Sequence, residues 1–171
     1  MKHGVLQRVD HLVRQLLPAS LVILLVLLQA VPWRVPQLAG VVPMLPMIGI
    51  FYWSLYRPDL LVPSVAFGTG LINDIVLGAP LGISSLVYLA MHGMTAAQRR
   101  FFNGKSFLVV WAGFATLAAG ATVMQLVLSA AIFGRVPLAR GLLIEYLITV
   151  FFYPVPSWLF TKLQMSWLRG E

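Results

Sequence analysis

Residues 107–133 read FLVVWAGFATLAAGATVMQLVLSAAIF, a run of 27 residues without a formal charge. At a rise of 1.5 Å per residue, a helix of this length extends about 40 Å, which exceeds the ~30 Å hydrocarbon core of a bilayer. The chain of 171 residues shares this character, since 60% of it is hydrophobic and 10% is charged. Its mean hydropathy is +0.89. Soluble domains carry about 25% charged residues, so the sequence predicts an all-α integral membrane protein.

Apolar runs on both sides of this segment predict six transmembrane helices in a single polytopic membrane domain, residues 1–171. The predicted spans are residues 16–33, 38–56, 60–77, 79–94, 107–133 and 141–160, after an amphipathic lead-in at residues 1–15. Pro43 and Pro46 are interpreted as a kink within the second span, and Pro154 and Pro156 as an interruption of the sixth. The aromatic residues at 51–56 are expected to anchor the second span at the membrane surface.

The positive-inside rule sets the orientation of the predicted spans. With six spans and a cytoplasmic N-terminus, the cytoplasmic basic residues are Lys2, Arg8, Arg14, Arg57, Arg99, Arg100, Lys105, Lys162 and Arg169. The smaller outer set is Arg34, Arg135 and Arg140. Fusing the third and fourth segments would divide the basic residues evenly, so six spans with both termini in the cytoplasm are predicted. The net charge of +7 then reflects the basic residues that orient the spans in the membrane. No basic domain is available to bind nucleic acid.

Asp74 is one of two acidic residues within the predicted spans. A charged Asp at mid-bilayer costs about 2.5–3.5 kcal/mol on insertion scales, so it normally has a partner. Gly70, Asp74 and Gly78 follow at i+4 spacing and form a narrow strip on one helix face. Arg135 and Arg140, in the outer loop before the sixth span, are candidate partners. Three roles remain open for Asp74: a carboxyl that locks the hairpin to its neighbours, a proton or substrate-ion site, and a partner-binding site.

The remaining residues give little indication of chemistry. Glu145 lies in the first turns of the sixth span, where the helix dipole and interfacial water favour a carboxylate. The chain has no cysteine, and its three histidines show no metal-ligand spacing. No nucleophile elbow, phosphate-binding loop or dinucleotide fingerprint is present. The sequence therefore predicts neither an enzyme nor a cofactor.

The fifth span carries small residues at fourfold spacing, namely Ala112, Thr116 and Gly120. Such a strip lets helix backbones approach closely. The packing partner of this strip is either another helix of the same chain or a helix of another protein, and both interpretations remain open.

Residues 67–82, FGTGLINDIVLGAPLG, resemble the rod shape-determining protein MreD family. Members of that family carry a glycine-rich approach to an Asp, followed by a Gly-x-Pro-Leu-Gly turn into the next helix. The matching positions here are Gly70, Asp74, Gly78, Pro80 and Gly82. The Tyr-Arg-Pro-Asp step at residues 56–59 and the layout of the whole chain are also similar to that family.

The resemblance implies a scaffold of the cell-elongation machinery in the bacterial cytoplasmic (inner) membrane. The implied partners are a bitopic MreC-type protein, the MreB filament, and a peptidoglycan synthase pair of a SEDS glycosyltransferase and a class B penicillin-binding protein. The filament and the synthase pair are contacted directly or through other proteins. The resemblance also implies a fold similar to the six-helix substrate-binding components of energy-coupling-factor transporters. The motif residues are then expected to shape the hairpin or to contact a partner.

Three functions follow as hypotheses. In the first, small residues of the fifth span and of the Gly70–Asp74–Gly78 strip form a groove for the single span of a bitopic partner. In the second, a solute-binding transporter component uses Asn73, Asp74 and residues 135–140 in a pocket open to the outside. In the third, Asp74, Gln125 and Glu145 belong to a proton or ion pathway.

Overall fold

The computed structural model of the chain describes residues 2–31, 42–134 and 139–168, and the side chains of residues 16–31, 42–134 and 140–166. Within these residues there are seven α-helices and no strand, which confirms the predicted all-α class. The helices are α1 Lys2–Ala30, α2 Leu45–Tyr56, α3 Pro63–Leu77, α4 Ile83–Phe102, α5 Phe107–Phe133, α6 Ala139–Phe152 and α7 Pro154–Leu168. The described residues do not include the predicted span boundaries at 32–33 and 38–41 or the basic residues Arg34, Arg135 and Arg169. They also do not include the side chains of the lead-in.

α2 is the central helix of the fold. Every residue from Leu45 to Leu55 is buried, and α1, α4, α5 and α7 pack around it. A helix that is apolar on all faces requires such an environment. Pro46 lies in the first turn of α2, where a missing N–H breaks no helical hydrogen bond, and Pro43 precedes the helix. The predicted kink is therefore wrong: the prolines set the start of a helix of 12 residues, about 18 Å long.

The aromatic residues of α2 form the centre of the core. Phe51, Tyr52 and Trp53 are at most 2% exposed. The Phe51 ring contacts Phe114 with ring centroids 5.2 Å apart and Tyr153 with centroids 5.9 Å apart, both in edge-to-face geometry. Such pairs contribute about 0.5–1.5 kcal/mol beyond their buried area. The prediction that these three aromatic residues anchor the helix at the membrane surface is therefore wrong, because they hold α2, α5 and the α6–α7 junction together.

α3 and α4 form a tight helical hairpin, as the sequence predicts, but α4 lies later in the chain than the predicted span. α4 begins at Ile83 because Gly78 and Gly82 both have positive φ, which prevents the helix from starting earlier. It continues to Phe102, through most of the segment predicted as a basic loop. Arg99 and Arg100 lie in its last turn, where cations stabilise the negative end of the helix dipole.

The sixth predicted span is divided in two, as its prolines indicate. α6 and α7 meet at Tyr153 with a bend of 41°. In a continuous helix the N–H of residue 154 would donate to the carbonyl of Val150, but Pro154 has no N–H. Trp111 of α5 supplies the missing donor, since its Nε1 lies 2.9 Å from the Val150 oxygen. The break is thus stabilised by a neighbouring helix.

The helices differ in their capacity to cross a bilayer. Of the described helices, Phe107–Phe133 alone is long and apolar enough to cross by itself. Arg140–Phe152 and Pro154–Ser166 meet the criterion together, across their bend. Leu45–Tyr56 and Pro63–Leu77 are apolar but shorter, as is Leu16–Ala30, the part of α1 whose side chains are described. The count of six spans and the cytoplasmic location of both termini stay predictions.

Candidate functional site

The turn between α3 and α4 contains most of the motif residues singled out from the sequence. α3 ends in a Schellman motif, in which the Ala79 N–H donates to the Asp74 carbonyl at 2.9 Å and the Gly78 N–H donates to the Ile75 carbonyl at 3.4 Å. Gly78 adopts φ +66°, the left-handed conformation that this motif requires. Pro80 follows, and its carbonyl accepts from the Ile83 N–H at 3.4 Å. The motif therefore builds a defined turn between two helices.

The Asp74 carboxylate caps the next helix. One carboxylate oxygen accepts from the Gly82 N–H at 2.8 Å, and the other accepts from the Ser84 N–H at 3.2 Å. Gly82 is the N-cap residue of α4, with φ +102° and no side chain to cap the helix. The first N–H groups of a helix lack partners within that helix, and a carboxylate there is also favoured by the helix dipole. Asp74, which is fully buried, provides both interactions from the preceding helix.

Gly70 is the point of closest approach between α3 and α4. A Cβ atom at this position would lie 2.7 Å from the carbonyl carbon of Ser84 and would collide with the backbone of Ser85. A glycine is therefore required for the two backbones to approach. One turn further along α3, the Asn73 Nδ2 donates to the Ser84 Oγ at 3.0 Å.

The structure thus brings together Gly70, Asp74, Gly78, Pro80 and Gly82 within one hairpin. The predicted arginine partners of Asp74 have a different outcome. Among the described side chains, Arg140 forms no ion pair with Asp74, and the ion pair found there joins Arg57 to Asp59 at 3.4 Å. Backbone N–H groups of residues 82 and 84 pair with Asp74 in the place predicted for the Arg140 guanidinium. Arg135 lies outside the described residues.

The Gly70–Asp74 part of the strip is used within the chain, so it is not open to a partner helix. In contrast, Ala112, Thr116 and Gly120 are all exposed on α5. A Cβ atom at Gly120 would meet nothing within 4 Å among the described atoms. Of the two interpretations left open for this strip, packing against another helix of the same chain finds no support within the described residues.

A cavity of about 330 Å³ lies beside the α3–α4 turn. Its lining residues come from each of the helices α1 to α6, from the chain just before α2 and from the α3–α4 turn. Its polar lining consists of Gln29, Asn73, Ser84, Tyr88, Gln125 and Glu145. Asn73 was predicted to face a pocket, whereas Asp74 lies behind the wall with its oxygens bonded to α4. Gln29 was missed; the signal for it is a polar amide at the end of an otherwise apolar helical run.

The described side chains offer little for catalysis. They contain no group of three potential metal ligands. Ser54 Oγ and His92 Nδ1 lie 2.7 Å apart in the core, but the described residues provide no carboxylate in contact with His92. A Ser–His pair that acts as a nucleophile needs a third group to orient the histidine. This pair therefore serves to satisfy two buried polar groups between α2 and α4.

These observations define a class: an apolar, all-helical protein with a helix able to cross a bilayer and large exposed apolar side chains. The model of the family "rod shape-determining protein MreD" matches residues 10–165 of the chain. The chain therefore belongs to the MreD family, a family of membrane proteins that act in rod-shape determination. No curated protein and no solved structure gives a significant match.

Proposed function

We propose that this protein is a non-catalytic scaffold of the cell-elongation complex in the bacterial cytoplasmic membrane. It crosses the membrane six times with both termini in the cytoplasm. It binds the single transmembrane helix of an MreC-type partner and thereby supports peptidoglycan synthesis and the regulation of cell shape. The MreB filament and the SEDS glycosyltransferase with its penicillin-binding partner are engaged directly or through the MreC-type protein.

The observation that carries the binding proposal is the exposed strip of Ala112, Thr116 and Gly120 on α5. Transmembrane helices associate through small residues that allow close backbone contact, because lipid offers no hydrophobic driving force between them. α5 is also the described helix that can cross a bilayer alone. Membership in the MreD family supports the elongation complex as the setting.

Copurification with the MreC-type partner tests the proposal. Gly120→Leu is expected to lower partner recovery about tenfold, a loss of ~1.4 kcal/mol in binding, because leucine separates the two backbones. Gly93→Leu is the matched control, since Gly93 is also an exposed helical glycine with open space at its Cβ position. Recovery of the partner at the wild-type level by Gly120→Leu, with normal accumulation of the protein, would contradict the proposal.

The second candidate function is a solute-binding component of a transporter. The cavity of about 330 Å³ favours it, because ligand sites for small molecules begin near this size and combine apolar walls with a few polar groups. Mass spectrometry of the protein purified in mild detergent distinguishes the two. A defined small molecule together with an ATPase pair and a coupling subunit supports the transporter, whereas a near-stoichiometric MreC-type protein without these components supports the scaffold.

A further inference from the structure

We infer that the connection between α4 and α5 binds the headgroup of an anionic phospholipid. Three basic residues, Arg99, Arg100 and Lys105, form this site and are called the basic cluster. Exposed apolar side chains beside the basic cluster face the acyl chains of the same lipid. Neither the α5 strip nor the cavity contributes a residue to this site.

The basic cluster lies within residues 99–105, at the end of α4 and in the connection that follows. All three of its side chains are exposed. Backbone hydrogen bonds hold the connection against the end of the helix. The Asn103 N–H donates to the Arg99 carbonyl at 3.0 Å, and the Lys105 N–H donates to the Phe102 carbonyl at 3.1 Å. The three cations are therefore kept together on one short segment of the surface.

Phe102 fixes this segment to the core of the protein. It is 6% exposed, whereas residues 97–101 and 103–108 on either side of it are all exposed. A Cβ atom at Gly113 of α5 would collide with the Phe102 ring. The same ring contacts Phe51 of α2, with ring centroids 6.4 Å apart. The basic cluster therefore has a defined position relative to the start of α5.

No described acidic side chain neutralises the basic cluster. The sequence contains no Asp or Glu from residue 75 to residue 144. Of the described acids, Asp59 pairs with Arg57, Asp74 caps α4 and Glu145 lines the cavity. The dipole of α4 supplies only about half a negative charge at this helix end, against three full positive charges. The basic cluster therefore keeps a positive charge that an anion can compensate.

The position of the basic cluster along α5 favours a lipid over a dissolved anion. The cluster directly precedes Phe107–Phe133, the described helix that can cross a bilayer alone. Because this helix extends about 40 Å and the hydrocarbon core is ~30 Å thick, its ends reach the depth of the headgroups. Phe101, Phe107 and Leu108 are 61%, 49% and 67% exposed. The Lys105 Nζ lies 5.7 Å from the centroid of the Phe101 ring, so cations and apolar side chains share one surface.

The chemistry of the three side chains suits a phosphodiester. A guanidinium group binds two phosphate oxygens through parallel N–H donors, and an ammonium group adds a compact charge. Clusters of basic residues next to a membrane attract anionic lipids in this way. A zwitterionic headgroup carries an ammonium group of its own, which the same cations repel. Phosphatidylglycerol is therefore favoured over phosphatidylcholine.

Native mass spectrometry of the full-length protein, released from detergent, measures the lipid affinity. The probes are phosphatidylglycerol and phosphatidylcholine with identical acyl chains, so that only the headgroup differs. We expect phosphatidylglycerol to bind about tenfold more tightly, and this preference to weaken as the ammonium acetate concentration is raised. Glycerol 3-phosphate, which has the phosphate without acyl chains, is added as a competitor. At the concentration of the lipid it is expected to leave the lipid bound.

Variants connect the preference to the basic cluster. The double variant Arg99→Gln/Arg100→Gln keeps long polar side chains but removes two charges, and it is expected to lower the preference from about tenfold to about twofold. Lys105→Gln is expected to lower it to an intermediate value. Lys105 lies outside α4 and is exposed, so this second variant reports on the site without a change in the helix.

A double variant elsewhere controls for net charge. Arg57→Gln/Lys162→Gln also removes two positive charges, but Arg57 pairs with Asp59 and Lys162 lies over the Trp158 ring, outside the basic cluster. We expect this control to retain the preference for phosphatidylglycerol. An equal loss in the control would overturn the site, because net charge alone would then attract the lipid. Equal wild-type affinity for both lipids, displacement by glycerol 3-phosphate, or an unchanged preference in both cluster variants would also overturn it.

Discussion

At Gly70 the two helices of the α3–α4 hairpin approach more closely than a side chain allows. Gly70→Ala is expected to destabilise the protein by about 1–3 kcal/mol, the usual cost of overpacking, because the backbone of Ser84 and Ser85 would have to move. Gly68→Ala on the same helix is the control, since its Cβ would meet nothing within 4 Å and alanine is the better helix former by up to ~1 kcal/mol. Thermal unfolding in detergent should therefore separate the two variants, and equal Tm values would contradict the close approach.

Asp74 stabilises the same hairpin through its charge and its two oxygens. Asp74→Asn keeps the size of the side chain but replaces one acceptor oxygen with a donor amide, which leaves a buried N–H of α4 unpaired. We expect a loss of about 1–3 kcal/mol in the free energy of unfolding. Asp59→Asn, which breaks an ion pair whose acid is 63% exposed, is expected to cost less than ~1 kcal/mol. A smaller loss for Asp74→Asn than for Asp59→Asn would be inconsistent with the capping role.

The sequence predicts the strip of Gly70 and Asp74 but not what packs against it. Spacing at i+4 identifies one face of a helix, and a buried carboxylate demands a partner, so both features follow from residue types alone. The partner depends on the third dimension. A nearby arginine was the natural expectation, yet the N–H groups at residues 82 and 84 are closer. They are free because Gly82 has no side chain to cap its own helix.

At the scale of elements, predictability follows the local sequence signals. α5 agrees with its predicted bounds because an uncharged run ends at Gly134, which has positive φ. α2 and α4 start later than predicted. The hydrophobic runs include Pro43 and residues 79–82, but Pro43 lies in non-helical chain before α2, and Gly78 and Gly82 have positive φ. Proline and glycine therefore set these boundaries, and hydropathy does not.

The α6–α7 break provides a prediction about a whole element. Trp111→Phe removes the donor to the Val150 carbonyl and is expected to cost about 1–3 kcal/mol. In a Pro154→Ala background, the restored N–H at residue 154 can reach that carbonyl, so the same change should cost clearly less. A double-mutant cycle of unfolding free energies measures this coupling. Trp158→Phe, at a 61% exposed position, controls for the loss of an indole, and an uncoupled cycle would show that the bond does not stabilise the break.

At the scale of the whole molecule, the predicted topology can be tested directly because the chain has no cysteine. Leu81→Cys lies in the α3–α4 turn, where the residue is 66% exposed, and Lys105→Cys lies in the exposed connection between α4 and α5. With six spans, a membrane-impermeant maleimide should label residue 81 from outside intact spheroplasts. It should label residue 105 only after permeabilisation. Labelling of both residues from the same side would contradict the six-span arrangement.

The cavity belongs to this largest scale, and the sequence suggests only parts of it: Asn73 in a hypothetical pocket, and Gln125 with Glu145 in a hypothetical pathway. Periodicity relates residues of a single helix, whereas Gln29, Asn73, Gln125 and Glu145 come from four different helices. Taken singly, each is a polar residue in an apolar segment with an ordinary explanation at a helix end or an interface. Their convergence is a property of the packing of α1, α3, α5 and α6.

The hydrogen bonds of Tyr52 have a consequence for the order in which the protein is made. The α3–α4 turn joins residues eight to ten positions apart, so a nascent chain can close it soon after residue 84 is synthesised. The Tyr52 hydroxyl instead bonds to Thr161 and Gln164, each at 3.1 Å and more than 100 positions later. The enclosed helix α2 thus waits for a segment more than 100 residues later to be translated. Truncation before residue 161 is therefore expected to expose the centre of the fold to membrane proteases, although the removed residues are more than 100 positions from α2 in the sequence.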